Sequence, residues 1–199
     1  MTSFLPDSYS IPDSGGKYMK FQDGENRFRI LSSPIIGNEY WNYDNKPVRL
    51  RMDEKANLAD IRPNKDGTPG SLKHFWAMPA IDRADGQVKV LEITQKGIQK
   101  AVKGLAGDAD WGSPTSYDLV VKKSGTGMET EYEVVPKPAK ALDRTETELF
   151  EKVLSEGFNL NALFTGGDPF TAGIEDVTPP AERKQEKIDY VNAEVVGEE

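Results

Sequence analysis

Asn26-Arg27-Phe28-Arg29-Ile30-Leu31-Ser32-Ser33-Pro34-Ile35-Ile36 is the stretch on which the fold turns. Phe28 and Ile30 alternate with Arg27 and Arg29, the period-two pattern of a strand with one buried and one solvated face. Ser32-Ser33-Pro34 then breaks the ladder, because proline has no N–H to donate and is tolerated only at edges and bulges. A bend is predicted there, with the strand resuming through Tyr40-Trp41. Residues 42–72 show no clean period and carry Asn45, Pro47, Pro63, Asn64, Gly67, Pro69 and Gly70, so they read as a long insertion between strands. Strand signals return over 73–81, and Asp85-Gly86 predicts a hairpin turn into a strand over 87–94. Ile98, Val102 and Leu105 recur at helical spacing, with Lys96, Lys100 and Lys103 on other faces and Gly107 near the stop. Two further strands, over 116–123 and 128–135, are joined by the tight turn Ser124-Gly125-Thr126-Gly127.

Strand, insertion, strand, strand, helix, strand, strand is the connectivity of an OB-fold, a five-stranded Greek-key barrel. The expectation is therefore a mainly β chain with minor α: such a barrel, a long first inter-strand insertion and a C-terminal helix. A five-stranded α+β sheet shares that order along the chain. The bent first strand favours the barrel, since closure requires strands that curl. Past Pro136 and Pro138, Thr145 with Glu148 has the spacing of a capping box. Leu149, Phe150, Val153 and Leu154 make an apolar helical stripe, Gly157 suits the stop, and Phe158, Leu160, Leu163 and Phe164 lead back toward the barrel. The predicted organisation is a flexible arm over 1–16, a core over 17–140, a helical extension over 141–178 and an acidic, disordered tail over 179–199.

Charge follows these divisions. The 199 residues carry a formal net charge of -8. Residues 17–140 hold 20 Lys/Arg against 17 Asp/Glu, whereas residues 141–199 hold 5 against 14. A basic body with an acidic end keeps a polyanion in play as ligand, because a local patch attracts phosphate whatever the total charge. The absence of cysteine excludes disulfides and thiolate metal sites, and the single histidine, His74, excludes a histidine cluster; no cofactor is expected. No apolar run approaches the roughly 18–20 residues of a membrane span, and nothing resembles a secretory leader, so an intracellular protein is expected.

Basic and aromatic residues interleave on the first two strands and the insertion between them: Arg27, Arg29, Tyr40, Trp41, Tyr43, Arg49, Arg51, Lys73, Phe75 and Trp76, with Lys89 beyond. Single-stranded nucleic acid exposes a phosphate backbone and flat base faces, and binding it without regard to sequence needs cations for the first and aromatic platforms for the second. The first inter-strand loop of an OB-fold flanks its ligand face, where this chain places its longest insertion. Phe28 and Ile30 are core. Alternation puts Phe75 and Trp76 on opposite faces, so one of the two is core and the other faces the ligand; the pattern does not say which. Arg27 and Arg29 also suit a plain solvated strand face, and Trp111 suits a plug at the barrel bottom or a helix cap. Enzyme chemistry finds little support. Asp108 and Asp110 precede Trp111-Gly112 as turn formers do, His74 has no partner signature for a triad, and Ser14-Gly15-Gly16-Lys17 lacks the spacing of a P-loop. The acidic end reads either as a solubilising tail or as a nucleic-acid mimic that folds over the basic groove or docks partner proteins.

The segments Lys20-Phe21-Gln22-Asp23-Gly24-Glu25-Asn26-Arg27-Phe28-Arg29-Ile30-Leu31, Lys73-His74-Phe75-Trp76 and Tyr132-Glu133-Val134-Val135-Pro136 resemble bacteriophage single-stranded DNA-binding proteins, with the layout of the T-even helix-destabilising protein. The resemblance spans about residues 17–140. It implies a non-enzymatic protein that coats single strands during replication, recombination and repair in the host cytoplasm, its acidic end regulating binding or recruiting replication and recombination proteins. The chain departs from that pattern in having no Cys/His zinc cluster and no basic N-terminal run. The competing expectation is an OB-fold interaction module whose basic face binds an acidic protein, and the residues do not choose between DNA, RNA and duplex.

Overall fold

The computed structural model describes residues 16–175. The predicted arm, apart from residue 16, the last residues of the extension and the acidic tail lie outside the described residues.

The bend is present. β2 (Gly24–Ile30) stops short of Pro34, and β3 (Ile35–Trp41) starts directly after it. Both lie antiparallel to one long strand, β5 (Lys73–Asp82): β2 along Ala80–Asp82, β3 along Lys73–Ala77. The two are halves of one strand, folded at the proline so that each follows a different part of its partner. β5 turns through Gly86 (φ +70°) into β6 (Val88–Ile93), as the Asp-Gly signal requires. α1 (Lys96–Gly107) follows, then the hairpin of β7 (Asp118–Ser124) and β8 (Glu131–Pro136), with β7 pairing antiparallel to β2.

These strands enclose the main core. Phe28 and Ile30 meet Met78, Ala80, Leu91, Ile93, Leu119 and Val121, and α1 closes one end with Ile98 and Val102. Trp111 packs edge-on against the fully buried Tyr117, 5.4 Å between ring centres, and so borders this core.

The sheet does not close into the expected five-stranded barrel. Its path runs from β1 (Tyr18–Met19) through β6, β5, β2 and β7 to β8, with β3 branching from β5 and β4 (Pro47–Leu50) pairing with β3 alone. The edge of β6 that closure would require is taken by β1 (Tyr18–Met19), a two-residue parallel strand. Phe21, just after it, contacts Phe28 and Tyr132 at 6.1 Å each and fills the seam with a side chain in place of a ladder. The result is a mainly β protein with one mixed sheet and few helices.

Two expectations need correction. The insertion contains β4 (Pro47–Leu50), paired with β3, a strand concealed by the proline at its first position. The C-terminal helix α2 (Arg144–Ser155) is capped two residues earlier than the Thr145/Glu148 spacing suggests. Asp143 accepts from the Glu146 N–H, and the Glu146 carboxylate accepts from the Asp143 N–H. After α2, a 3₁₀ segment (Leu160–Thr165) returns to the sheet, followed by the single turn α3 (Ala172–Glu175).

Candidate nucleic-acid interface

Residues directly opposite one another in antiparallel strands share a face, and neighbours along a strand alternate. The register Glu39↔Arg49, Glu39↔Lys73, Gly37↔Phe75, Trp41↔Pro47 and Ala77↔Glu92 therefore places Trp41, Arg49, Lys73 and Phe75 on one face. Tyr40, His74 and Trp76 lie on the other. β3 and β4, laid onto the start of β5, thus bring four of the eleven expected residues together.

The chain itself covers much of that face. Phe75 is fully buried in a second core with Ala77, Val90, Leu160 and Leu163, bordered by Phe158, Phe164 and Phe170. Phe164 lies 6.1 Å from Phe75, and Lys17 holds the segment's Asp168 at 2.5 Å. Gly37 makes this possible, since a Cβ there would collide with the Leu50 carbonyl, the Phe75 ring and the Phe164 ring. Phe75 is therefore the core member of its pair. Trp76 is half-buried, packs against the main core and donates its indole N–H to His74 Nε2 at 3.2 Å.

Four expected cations are committed to carboxylates. Arg29 is buried, gives its Nε to Asp118 at 2.8 Å and bonds the Lys140 carbonyl at 2.8 Å. Arg27 and Arg83 reach the same Asp118 at 2.8 and 2.9 Å, and Arg83 also binds Glu146 of α2. Burial alone would raise the Asp118 pKa, but Arg83, Arg29 and Arg27 outweigh it and hold the group below the usual carboxylate range. Lys89 is buried between Asp82 (2.8 Å) and Asp85 (2.6 Å). Arg49 bridges Glu92 (2.7 Å) and Glu39 (3.6 Å). These contacts place Arg29, Lys89 and Arg49 in the framework; Arg27 keeps half its side chain exposed beside its partner. Tyr40 is also buried, at 5 % exposure.

Trp41 (42 % exposed) and Tyr43 (65 % exposed) remain open at the tip, with Arg51 and Lys73. Arg62, which the sequence reading passed over, joins them. Its guanidinium lies 5.2 Å from the Trp41 ring centre, its backbone N–H donates to the Trp41 carbonyl at 2.9 Å, and Asn45 accepts from its side chain. The bridge Asn42↔Ile61 aligns this return strand, a pairing no local pattern around Arg62-Pro63 announces. Arg51 stacks 4.4 Å over Phe164, at the boundary between the covered face and the open tip. Among the described residues Lys46, Arg51, Lys55, Arg62, Lys65 and Lys73 form no ion pair, and all lie in or beside the insertion. The tip can thus offer an aromatic platform edged by cations, the pair of groups that bases and phosphates require.

Among the described residues no helix is long and apolar enough to cross a membrane, and no three His, Asp or Glu gather as a metal site. No family model matches the sequence, and no solved structure matches it. A curated relative does: the "Probable ssDNA-binding protein" of Escherichia phage T5 is 30 % identical over 142 aligned residues, covering 59 % of this chain and 54 % of the relative. The resemblance to bacteriophage single-stranded DNA-binding proteins is borne out by that match, and the chain spans about half the length of the relative.

Proposed function

We propose that this protein binds single-stranded DNA without reading its sequence, and that the strand lies over the tip of the β3–β4 extension. The observation that carries the reading is the exposed Trp41 ring with the Arg62 guanidinium over it and Tyr43 beside it. Bases stack on Trp41 and Tyr43, while Arg51, Arg62 and Lys73 meet the backbone. Such stacking is tolerant of base identity because every base has a π-face. The strand order from β2 to β8 supports an OB-fold reading whose seam is filled by Phe21. The name of the phage relative supports single-stranded DNA binding alone; we extend this to a role in DNA replication, recombination and repair in the host cytoplasm, with the acidic C-terminus regulating binding or recruiting proteins of those processes.

The test is a titration with oligo-dT followed by tryptophan fluorescence at several salt concentrations. Binding should quench the emission, saturate at a fixed number of nucleotides per protein and weaken with a log–log salt slope of about 0.7 per phosphate neutralised. Trp41→Ala should cost about 1–3 kcal/mol, roughly a 5- to 150-fold loss of affinity. Unchanged affinity in that variant removes the tip from the site, and binding indifferent to salt overturns the reading altogether.

A further inference from the structure

The described cations without a carboxylate partner form a second group away from the insertion. Lys96, Lys100 and Lys103 are all exposed on α1, and among the described residues none of them makes an ion pair. Their positions are set by the helix period. On a helix surface the neighbours of a residue are those three and four positions away, so Lys96 and Lys103 flank Gln99 on either side. Gln99 is buried and points toward the sheet: its side-chain amide donates to the Ile93 carbonyl at 2.9 Å and to the His74 carbonyl at 3.3 Å. The lysine row therefore runs along the flank of α1 next to the start of β5, on the side of the sheet opposite Trp41. Among the described residues, the exposed side of α1 is open at its glycines. A Cβ added at Gly97, Gly104 or Gly107 would meet no atom within 4 Å. Glycine in a helix interior is less favourable than alanine by about 1 kcal/mol, and among the described residues no neighbour within 4 Å demands it at Gly104.

Resting on the single-stranded DNA reading, we propose that this flank of α1 is a second contact surface for the same ligand, with Lys96, Lys100 and Lys103 meeting backbone phosphates. Those lysines extend the interface across the start of β5 without any stacking residue of their own. Their contribution is electrostatic and insensitive to base identity. Compared with a surface helix laced by opposite charges, α1 carries lysines and no acidic residue of its own, so a polyanion meets no repulsion from the helix itself.

The experiment compares the 199-residue protein with a Lys96→Ala/Lys100→Ala/Lys103→Ala variant and with Trp41→Ala, all titrated with a long oligo-dT between about 50 and 300 mM salt. The triple variant should bind at least tenfold more weakly at the lowest salt, with a salt slope shallower by about 2, three phosphates at about 0.7 each. The matching Lys→Arg triple variant should restore both. All three positions are exposed, so thermal unfolding should report the same Tm. If the triple alanine variant keeps affinity and slope while Trp41→Ala weakens binding, the second surface is overturned and the tip stands. If the parent protein binds no oligo-dT at any salt, both fall together.

Discussion

Glu39 and Glu92 face one guanidinium between them, that of Arg49, on the covered side of the sheet. Burial and the Glu92 carboxylate push the Glu39 pKa up to about 7, against the opposing pull of Arg49 and Lys73. Tyr18 of β1 borders the group; its own hydroxyl is raised by burial, with Arg49 opposing. A carboxyl raised on folding binds more protons folded than unfolded. Its favourable contribution is complete below the unfolded value and is lost as pH rises through about 7. Glu39→Gln, which mimics the protonated group, should thus gain on the parent as pH rises from about 4.5 to 7, by at most about 1.4 kcal/mol per pH unit. Urea midpoints measured across that range check this, and a constant difference would place the shared proton elsewhere. None of this was legible in the sequence, where Arg49 looks like a cation free for a ligand. The same blindness applies to Arg29, whose partner Asp118 is 89 residues away. Alternation did establish that Phe75 and Trp76 oppose each other. The deciding contact, Phe75 on Phe164, comes from a segment far along the chain, and no local period reports that.

Elements read from the sequence fared according to how local their causes are. The hairpin turn at Gly86, the helix α1 and the bend at Pro34 are dictated by residues within a few positions, and each stands where the pattern puts it. β4 was missed because its four residues are half-buried on both faces and so show no alternation. The apolar residues after α2 lead back to the body as the pattern implies, but their consequence does not show in it: they fill the face on which the register gathers Arg49, Lys73 and Phe75. That cover is part of the core. Leu163 is 2 % exposed and packs with Leu160, Phe75, Ala77 and Val90. Leu163→Ala should destabilise the protein by about 2–5 kcal/mol, a large cavity-forming loss. Thermal or denaturant unfolding measures it. A loss below 1 kcal/mol would mean that the segment is a detachable lid, and the ligand face would then have to be reconsidered.

At the scale of the whole molecule, the modest positive excess of residues 17–140 matters less than its sorting. Carboxylates claim the cations of the framework, and most of those left unpaired among the described residues lie in or beside the insertion and on α1, with Lys20, Lys137 and Lys140 elsewhere. The acidic residues 179–199 are the counterweight. Removing them should tighten oligo-dT binding, most clearly at low salt, where the repulsion of like charges is least screened. Equal affinities at low ionic strength would leave that stretch a role in recruitment or solubility alone. β2 carries one further consequence. It is hydrogen-bonded on both sides, Phe28 to the Asp82 position of β5 and Gly24 to the Lys123 position of β7, and both partners are synthesised after it. As the chain leaves the ribosome, its central strand therefore waits with two bare edges, then with one, until residue 118 and beyond have emerged. A nascent chain stalled in that interval offers a template for another strand to add to, so its own translation is a step at which the order of its strands exposes it to aggregation.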